Sequence, residues 1–470
     1  MKKHALFGRF LCLLLFSALL LSACGQMPPE SPPITDSVLS LTPAPTSAPT
    51  PTPSPTPAPT PTPIPPISAF SDVLTADIGA AVSPVLLPGE DDRTVTVQWV
   101  GSFREEPPFV IFGIDNGSGA LPPDFSAVQT ERTPLSHLSA LSPGRYSYRA
   151  SLPVEAGMPY VYGLSADAET APDTLFSFVA AGEGALSVVF TSDSHIENAA
   201  HTGIYENTLE KALAQSLADD RDHRGIDLIW HTGDLMNRME RSPTIVADNA
   251  AALRNIPFAV VGGNHDYRSR IHEVFTMPNI IRKSGDFYFM KGGVLFLGLS
   301  IASKDMVDHA AFLREANEAY PDRLWTVLTL HYSIHSNGSH GNDRPVVNIR
   351  TFLEPIFSEI GVDIVFSGHD HKYCRSMLIG ADGLPVEGSD GAEIDKTDNE
   401  RIYVTLPSST GSKFYKHVGA YPYELAVNGM DTLPGYVLAD FTEESITVSA
   451  YTLESDEPFD RFTIRRTNAP

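Results

Sequence analysis

The chain has 470 residues, length enough for two or three domains. Its 33 Lys and Arg stand against 57 Asp and Glu, a formal net charge of −24. A surface that acidic repels nucleic acid and anionic lipid headgroups, so no nucleic-acid partner is expected, and any phosphorylated substrate needs concentrated local positive charge.

Lys2, Lys3 and Arg9 precede and enter the apolar run "FLCLLLFSALLLSAC", which is short for a membrane span. The run ends in Leu21-Ser22-Ala23-Cys24, which resembles the lipobox of bacterial lipoproteins. That resemblance implies a signal peptide over residues 1–23, cleavage before Cys24 and acylation of the Cys24 thiol. The expected product is extracytoplasmic, held at the cell surface by lipid in the membrane; an ordinary secretory signal, the alternative, would also export it. Losing the three basic residues of 1–23 leaves 30 Lys and Arg against 57 acidic residues, or −27. With Cys12 removed and Cys24 acylated, Cys374 has no partner for an intramolecular disulfide, although export would permit one.

Residues 24–68 form a Pro/Thr-rich linker, with proline at alternate positions in "PTPTPSPTPAPTPTP". Proline fixes φ and removes amide donors, so this segment is expected to be an extended stalk rising ~3.1 Å per residue. It would carry the following domains clear of a membrane and into contact with a cell wall. Over 69–181, "TVTVQWVG", "PFVIFGID", "GRYSYRASLPV", "MPYVYGLSA" and "LFSFVAAG" alternate aromatic or β-branched residues with polar ones. Several such strands between Gly, Pro and Asp punctuation predict a β-sandwich of fibronectin III-like type, with no metal-ligand or nucleophile spacing.

From 185 to 466 the pattern changes to α/β. "SVVF", "IDLIW", "FAVVG", "LWTVLTL" and "VDIVF" are short apolar runs, as expected of strands covered on both faces. Leu209, Leu213 and Leu217 recur every four residues in "YENTLEKALAQSLADD", predicting an amphipathic helix. "RTFLEPIFSEIG" predicts another, with Gly361 just past its C-terminus. "GYVLADF" and "SITVSAYTL" read as a closing hairpin.

Each core strand is followed by oxygen or imidazole donors. "SVVF" leads to Asp193-Ser194-His195, "IDLIWHTGD" to Gly233-Asp234, and "FAVVGGNHD" to Asn264-His265-Asp266. "LWTVLTLH" ends on His331, and "VDIVFSGHDH" on Gly368-His369-Asp370-His371. The C-terminal edge of an α/β sheet is where sites assemble. The order D-x-H, G-D, G-N-H-D, H, G-H-x-H resembles the calcineurin-like metallophosphoesterase superfamily, over roughly residues 185–410. The resemblance implies a four-layer αββα domain and two metal ions. Asp193, His195, Asp234 and His371 would hold one; Asp234, Asn264, His331 and His369 would hold the other, with Asp234 bridging. Carboxylate and neutral imidazole suit Fe, Mn or Zn, and a shared carboxylate brings two cations to about 3.5–4 Å, the spacing for displacement at phosphorus.

The β-rich segment ahead of this domain is similar to the layout of purple acid phosphatases. Two positions depart from them: His195 stands where the purple enzymes have glycine, and Asn237 stands where they have a ligating tyrosine. That is the non-purple arrangement of the superfamily. The resemblance also implies that His265 is a general acid beside the leaving group, with Asp266 either orienting it or capping the next turn. Asn237 and Arg238 occupy the positions of an aspartate-arginine pair near the phosphate in related enzymes, which makes Arg238 either a phosphate clamp or a surface arginine. His340 matches a substrate-pocket histidine of purple acid phosphatases, in the donor-rich stretch "HYSIHSNGSHGNDR". The stretch "GADGLPVEGSDGAEIDKTDNE", with Lys396 as its one base, is expected to be a solvated insertion overhanging the site.

These residues predict a lipid-anchored phosphohydrolase that cleaves phosphate monoesters by attack of a metal-bound hydroxide. The monoester preference rests on the polar, donor-rich segment 331–342, since a diester asks for an apolar-lined cleft. The alternatives are a phosphodiesterase or nucleotide hydrolase, and a catalytically silent surface lipoprotein.

Overall fold

The computed structural model describes residues 82–135, 144–218, 225–238, 243–266, 271–281, 283–301, 303–415, 425–428 and 432–467. The leader, Cys24 and the proline-rich linker lie outside the described residues.

The N-terminal strands form two antiparallel four-stranded sheets. One has the order Val85–Pro88, Thr94–Ser102, Arg145–Pro153, Glu131–Pro134; the other runs Ser126–Gln129, Phe109–Ile114, Pro159–Ser165, Phe176–Val179. Their facing sides share one core, in which Val95, Val97 and Trp99 meet Val110, Tyr160, Tyr162 and Phe178. The period of two along a strand then decides what the other face does. Leu86 points into the sandwich core, whereas Val85, Leu87 and Val100 join the core of the following domain. Gln98, fully buried on that same outer face, donates to Ser147 Oγ (2.8 Å) and Glu273 O (3.3 Å) and accepts from Thr276 N (3.0 Å).

Residues 185–466 build two seven-stranded sheets. The first has Ala185–Thr191, Leu228–His231 and Phe258–Val260 in parallel, extended by Gly435–Thr442, Ser445–Thr452, Asp460–Arg466 and Glu393–Lys396. The second has Trp325–Leu330 and Ile364–Ser367 at its centre, between the Val294–Leu299 and Ile402–Thr405 strands, all parallel. The sheets face each other across an aromatic layer. Phe190 stacks on Phe366 at 3.8 Å between centroids, and Trp230 lies 5.3–5.7 Å from Phe287, Phe289 and Phe296. Helix Ala199–Ala218 covers the first sheet, burying Leu209 and Leu213. Helices Met306–Ala319 and Arg344–Glu359 cover the second, where Phe312 and Leu353 cluster with Leu295 and Leu297.

The last of these helices starts six residues before the predicted "RTFLEPIFSEIG", because Pro345 sits in its first turn, where no amide donor is required. Gly361, at φ +66°, follows its C-cap as expected. The acidic stretch 380–400 is largely exposed, as expected of a solvated insertion, but part of it is ordered in a sheet. Glu393–Lys396 is an edge strand parallel to Asp460–Arg466, at the far end of the sheet from the three parallel strands. Lys396 is fully buried, 2.8 Å from Asp363 Oδ1, and Arg466 caps the same carboxylate. Net negative composition masked a β pairing whose one base is neutralised inside.

Replacing Gln98 by Ala strands the Thr276 amide between the domains. Leaving such a buried group unsatisfied costs about 1–3 kcal/mol, so melting should fall by several degrees. An unchanged Tm would show that this contact does not hold the two domains together.

Candidate metal centre

The parallel register delivers the motif residues to one edge. Thr191, His231 and Val260 lie side by side at the ends of the first sheet's strands, and Leu330 and Ser367 end strands of the second. The chain then turns abruptly. Among the described residues six non-glycines have positive φ, and five are site residues: Asp193 (48°), His195 (45°), Asp234 (54°), His369 (71°) and His371 (51°). A left-handed backbone costs a non-glycine roughly 1–2 kcal/mol, so surrounding bonds must hold it. Asp193 N donates to Gly233 O (3.1 Å), His195 N to Asp234 O (3.0 Å), and His369 N to Asp193 Oδ2 (2.9 Å). Gly368 and Gly263 permit the close approach: a Cβ on either would run into the carboxylate of Asp193 or Asp234.

Seven expected ligands converge in two clusters, one of Asp193, His195 and His371 and one of Asp234, His331 and His369 with Asn264 beside it. In the first, His371 Nε2 is 3.2 Å from both Asp193 Oδ1 and His195 Nε2. In the second, His331 Nε2 is 3.2 Å from Asp234 Oδ2 and 3.2 Å from Asn264 Oδ1. Asp234 Oδ2 also lies 3.7 Å from His195 Nε2, so one oxygen serves both clusters.

The donors are prepared for a cation. His331 Nδ1 donates to Thr232 O (3.1 Å) and His371 Nδ1 to Lys413 O (2.7 Å), which aims each Nε2 lone pair inward. Asp193 Oδ1 is buried with no hydrogen-bond donor. Burial pushes His195 down to about 4 and His369 down to about 2, so both rings are neutral ligands near neutral pH. At His331 burial acts in the same direction, but Asp234 and Asp193 outweigh it and raise the ring to about 9. Without a metal the carboxylates draw a proton to the place a cation would take. Two carboxylates, four imidazoles and an amide oxygen, with an orphaned buried oxygen among them, fit borderline divalent or trivalent ions.

The other expected residues divide. His265 is half-exposed beside the clusters, its Nε2 4.0 Å from Asp234 Oδ2 and its ring 4.7 Å from that of His195. Asp266 is turned away from the His265 ring: it accepts the amides of Leu235, Met236 and Gly263 at 3.0–3.2 Å, and burial beside Asp234 raises it to about 7. The His340 ring lies 4.4 Å from that of His369, tilted by 41°; it gives Nδ1–H to Asp343 (2.9 Å) and keeps a buried Nε2 with no partner. Asn237 is bonded to Glu197, and Arg238 is exposed; among the described residues neither bonds to the ligand set.

Segment 331–342 does not present its donors as predicted. Ser333, His335, Ser336 and Asn337 are buried, with His335 on Glu354 (2.7 Å) and Ser333 on Gly368 O. They brace the loop, and it is Tyr332 and His340 that meet His369. Cys374 is likewise buried, its Sγ 3.7 Å from Ser336 Oγ. Residues missed from the sequence are Tyr332, Tyr415 and His231. Tyr332 directly follows a ligand, which was a usable signal; Tyr415, whose ring lies 4.7 Å from His371, sits in no motif.

Residues 186–373 match the family model of the calcineurin-like phosphoesterases. This stretch is a calcineurin-like phosphoesterase domain. The chain is 25% identical over 304 residues to purple acid phosphatase 18 of Arabidopsis thaliana, covering 61% of this chain and 64% of that one. It is 25% identical over 197 residues to acid phosphatase type 7 of Mus musculus, covering 35% and 44%. It therefore spans less than two thirds of the length of these curated relatives. Among solved structures, purple acid phosphatase PPD1 from yellow lupin seeds superposes with a TM-score of 0.67 at 16% identity, over 82% of this chain and 74% of that one. PhoD superposes with a TM-score of 0.51 at 12% identity, over 78% and 85%. At such identities the likeness is one of fold.

Behind the two donor clusters, His231 holds Ser194 Oγ through Nε2 (2.8 Å) and accepts Gly233 N–H on Nδ1 (3.2 Å). Protonation would break the second bond, and burial holds the ring down to about 3. A folded-state value below the unfolded one stabilises above pH ~6.5, and this contribution is lost as pH falls toward 3. His231→Gln keeps a donor and an acceptor but cannot charge, so its Tm should fall less steeply than the parent's between pH 6.5 and 4. Parallel slopes would assign the acid sensitivity to other groups.

Proposed function

We propose that the protein is a metal-dependent hydrolase of phosphate monoesters. The observation that carries this reading is the position of Asp234 Oδ2 between two donor clusters at the sheet edge of a calcineurin-like domain. Asp193, His195, Asp234 and His371 would hold one ion, and Asp234, Asn264, His331 and His369 the other, drawn from Fe, Mn or Zn. Such an ion pair supplies Lewis acidity toward the phosphoryl oxygens and lowers the pKa of water.

The chain's own residues supply the rest. His265, half-exposed at the rim, would protonate the leaving oxygen. His340, whose Nδ1–H is given to Asp343, would donate from its unpartnered Nε2 to a phosphoryl oxygen once that nitrogen is also protonated, and a monoester dianion gains more from such donors than a diester does. Asn237 bonds to Glu197 and offers no phenolate, so a purple iron centre is not part of this reading.

The purified, metal-supplemented protein should hydrolyse p-nitrophenyl phosphate faster than bis(p-nitrophenyl) phosphate. His265→Ala should lower kcat by about 10²–10⁴ with metal content unchanged. Dominant diester turnover would overturn the monoester assignment. No turnover with any of the three metals would overturn the hydrolase and favour a silent surface protein.

We also propose, on the residues around Cys24 alone, an exported, lipid-anchored chain. Cys24→Ser should release it from membranes. Retention of that variant after a high-salt wash would remove the anchor from the reading.

A further inference from the structure

A cavity of about 420 Å³ opens next to the metal centre, on the side of His331 and His369. Leu330, the residue before His331, lies on its wall, and so does Tyr332. The Tyr332 ring is 4.6 Å from that of His369 and 5.9 Å from that of His331, so this one side chain borders both centre and cavity. The opposite walls come from the strand end at Leu299, the start of the Met306 helix and the first turns of the Arg344 helix.

The chemistry of this lining differs from that of the centre. Leu299, Leu330, Met306 and Ile349 give it apolar walls, interrupted by Ser300, Ser303 and Asn348. His309, at its edge, is committed to Asp286 through Nδ1 at 2.7 Å. Among the described lining residues the charged ones are Lys304 and Arg344, both exposed and both positive, and none is a carboxylate. A ligand site is a largely apolar concavity with a few convergent polar groups. A phosphate itself has no use for the apolar walls, whereas the organic group attached to it does, and one such cavity accommodates the single alcohol of a monoester where a diester would ask for room for two.

We infer that this cavity receives the leaving-group alcohol of the substrate, and that the alcohol has an apolar, ring-sized body bearing an anionic group that meets Lys304 and Arg344. The inference rests on the phosphomonoesterase reading for the alcohol's role, while the cavity's affinity can be read without turnover. Burial of each methylene-sized unit is worth roughly fourfold in binding, and each exposed cation contributes a factor of about 2–5. The body therefore supplies most of the affinity, and the two cations select among bodies.

The test uses the full-length protein and 6-hydroxynaphthalene-2-sulfonate, an aryl alcohol with one anionic group, in a calorimetric titration. One site is expected. Asn348→Trp, which places a ring at the exposed mouth, should abolish it, and Lys304→Ala/Arg344→Ala should weaken it about tenfold. Unsulfonated 2-naphthol should bind parent and double variant alike. The phosphate ester of the sulfonated alcohol should be hydrolysed with at least tenfold higher kcat/KM than methyl phosphate, and Asn348→Trp should shrink that ratio. Equal affinity of parent and Asn348→Trp, or of parent and double variant, would overturn the assignment. Hydrolysis of both esters with no preference would remove the leaving-group role while sparing the phosphoesterase reading. Absence of hydrolysis of either ester with any metal would sink the phosphoesterase reading, whatever the cavity binds.

Discussion

Asp234 Oδ2 sits 3.2 Å from His331 Nε2 and 3.7 Å from His195 Nε2, and everything around it serves to keep it there. Its backbone is left-handed, at φ 54°. Its other oxygen accepts the amide of His265 at 2.8 Å. Asp266 gathers the amides of Leu235, Met236 and Gly263, tying the loop after one strand to the loop after the next. An aspartate free to choose another rotamer would face one cluster or the other. Held by both its backbone and its Oδ1, it faces the two at once.

That constraint explains the double sheet. One sheet supplies Asp193, His195, Asp234 and Asn264; the other supplies His331, His369 and His371. Neither half is a site without its partner, and the aromatic layer from Phe190 to Phe366 fixes their separation behind the loops. The strain in five left-handed ligands is thus carried by a rigid interior. The N-terminal sheets add to this rigidity from outside: Tyr162 donates to Arg254 O at 2.8 Å and Asp92 accepts the amide of Gly292 at 2.9 Å.

The strand ends were legible because chemistry and topology coincide there: an apolar run followed at once by Asp, Asn or His marks both a sheet edge and a ligand. Helix Ala199–Ala218 and Gly361 were legible for the same local reasons, apolar spacing and a left-handed cap. What failed was any inference needing long-range pairing. The pairing of Glu393–Lys396 is hidden because its partner, Asp460–Arg466, lies far along the chain. The donors of segment 331–342 look like a pocket lining, yet His335 finds Glu354 and Ser333 finds Gly368 O, which composition does not reveal. The hairpin Phe287–Lys291 with Val294–Leu299 carries no ligand and so no chemical mark in the sequence, although its aromatics surround Trp230. The cavity walled by Tyr332 was hidden for a similar reason: its lining is assembled from three separated stretches of chain.

Anomalous X-ray diffraction from crystals of the metal-loaded protein, collected at the edge of the metal found by elemental analysis, bears most directly on the shared oxygen. Two peaks about 3.5–4 Å apart are expected, one beside Asp193, His195 and His371 and the other beside Asn264, His331 and His369, with the Asp234 carboxylate between them. A single peak, or two peaks that do not share Asp234, would contradict it.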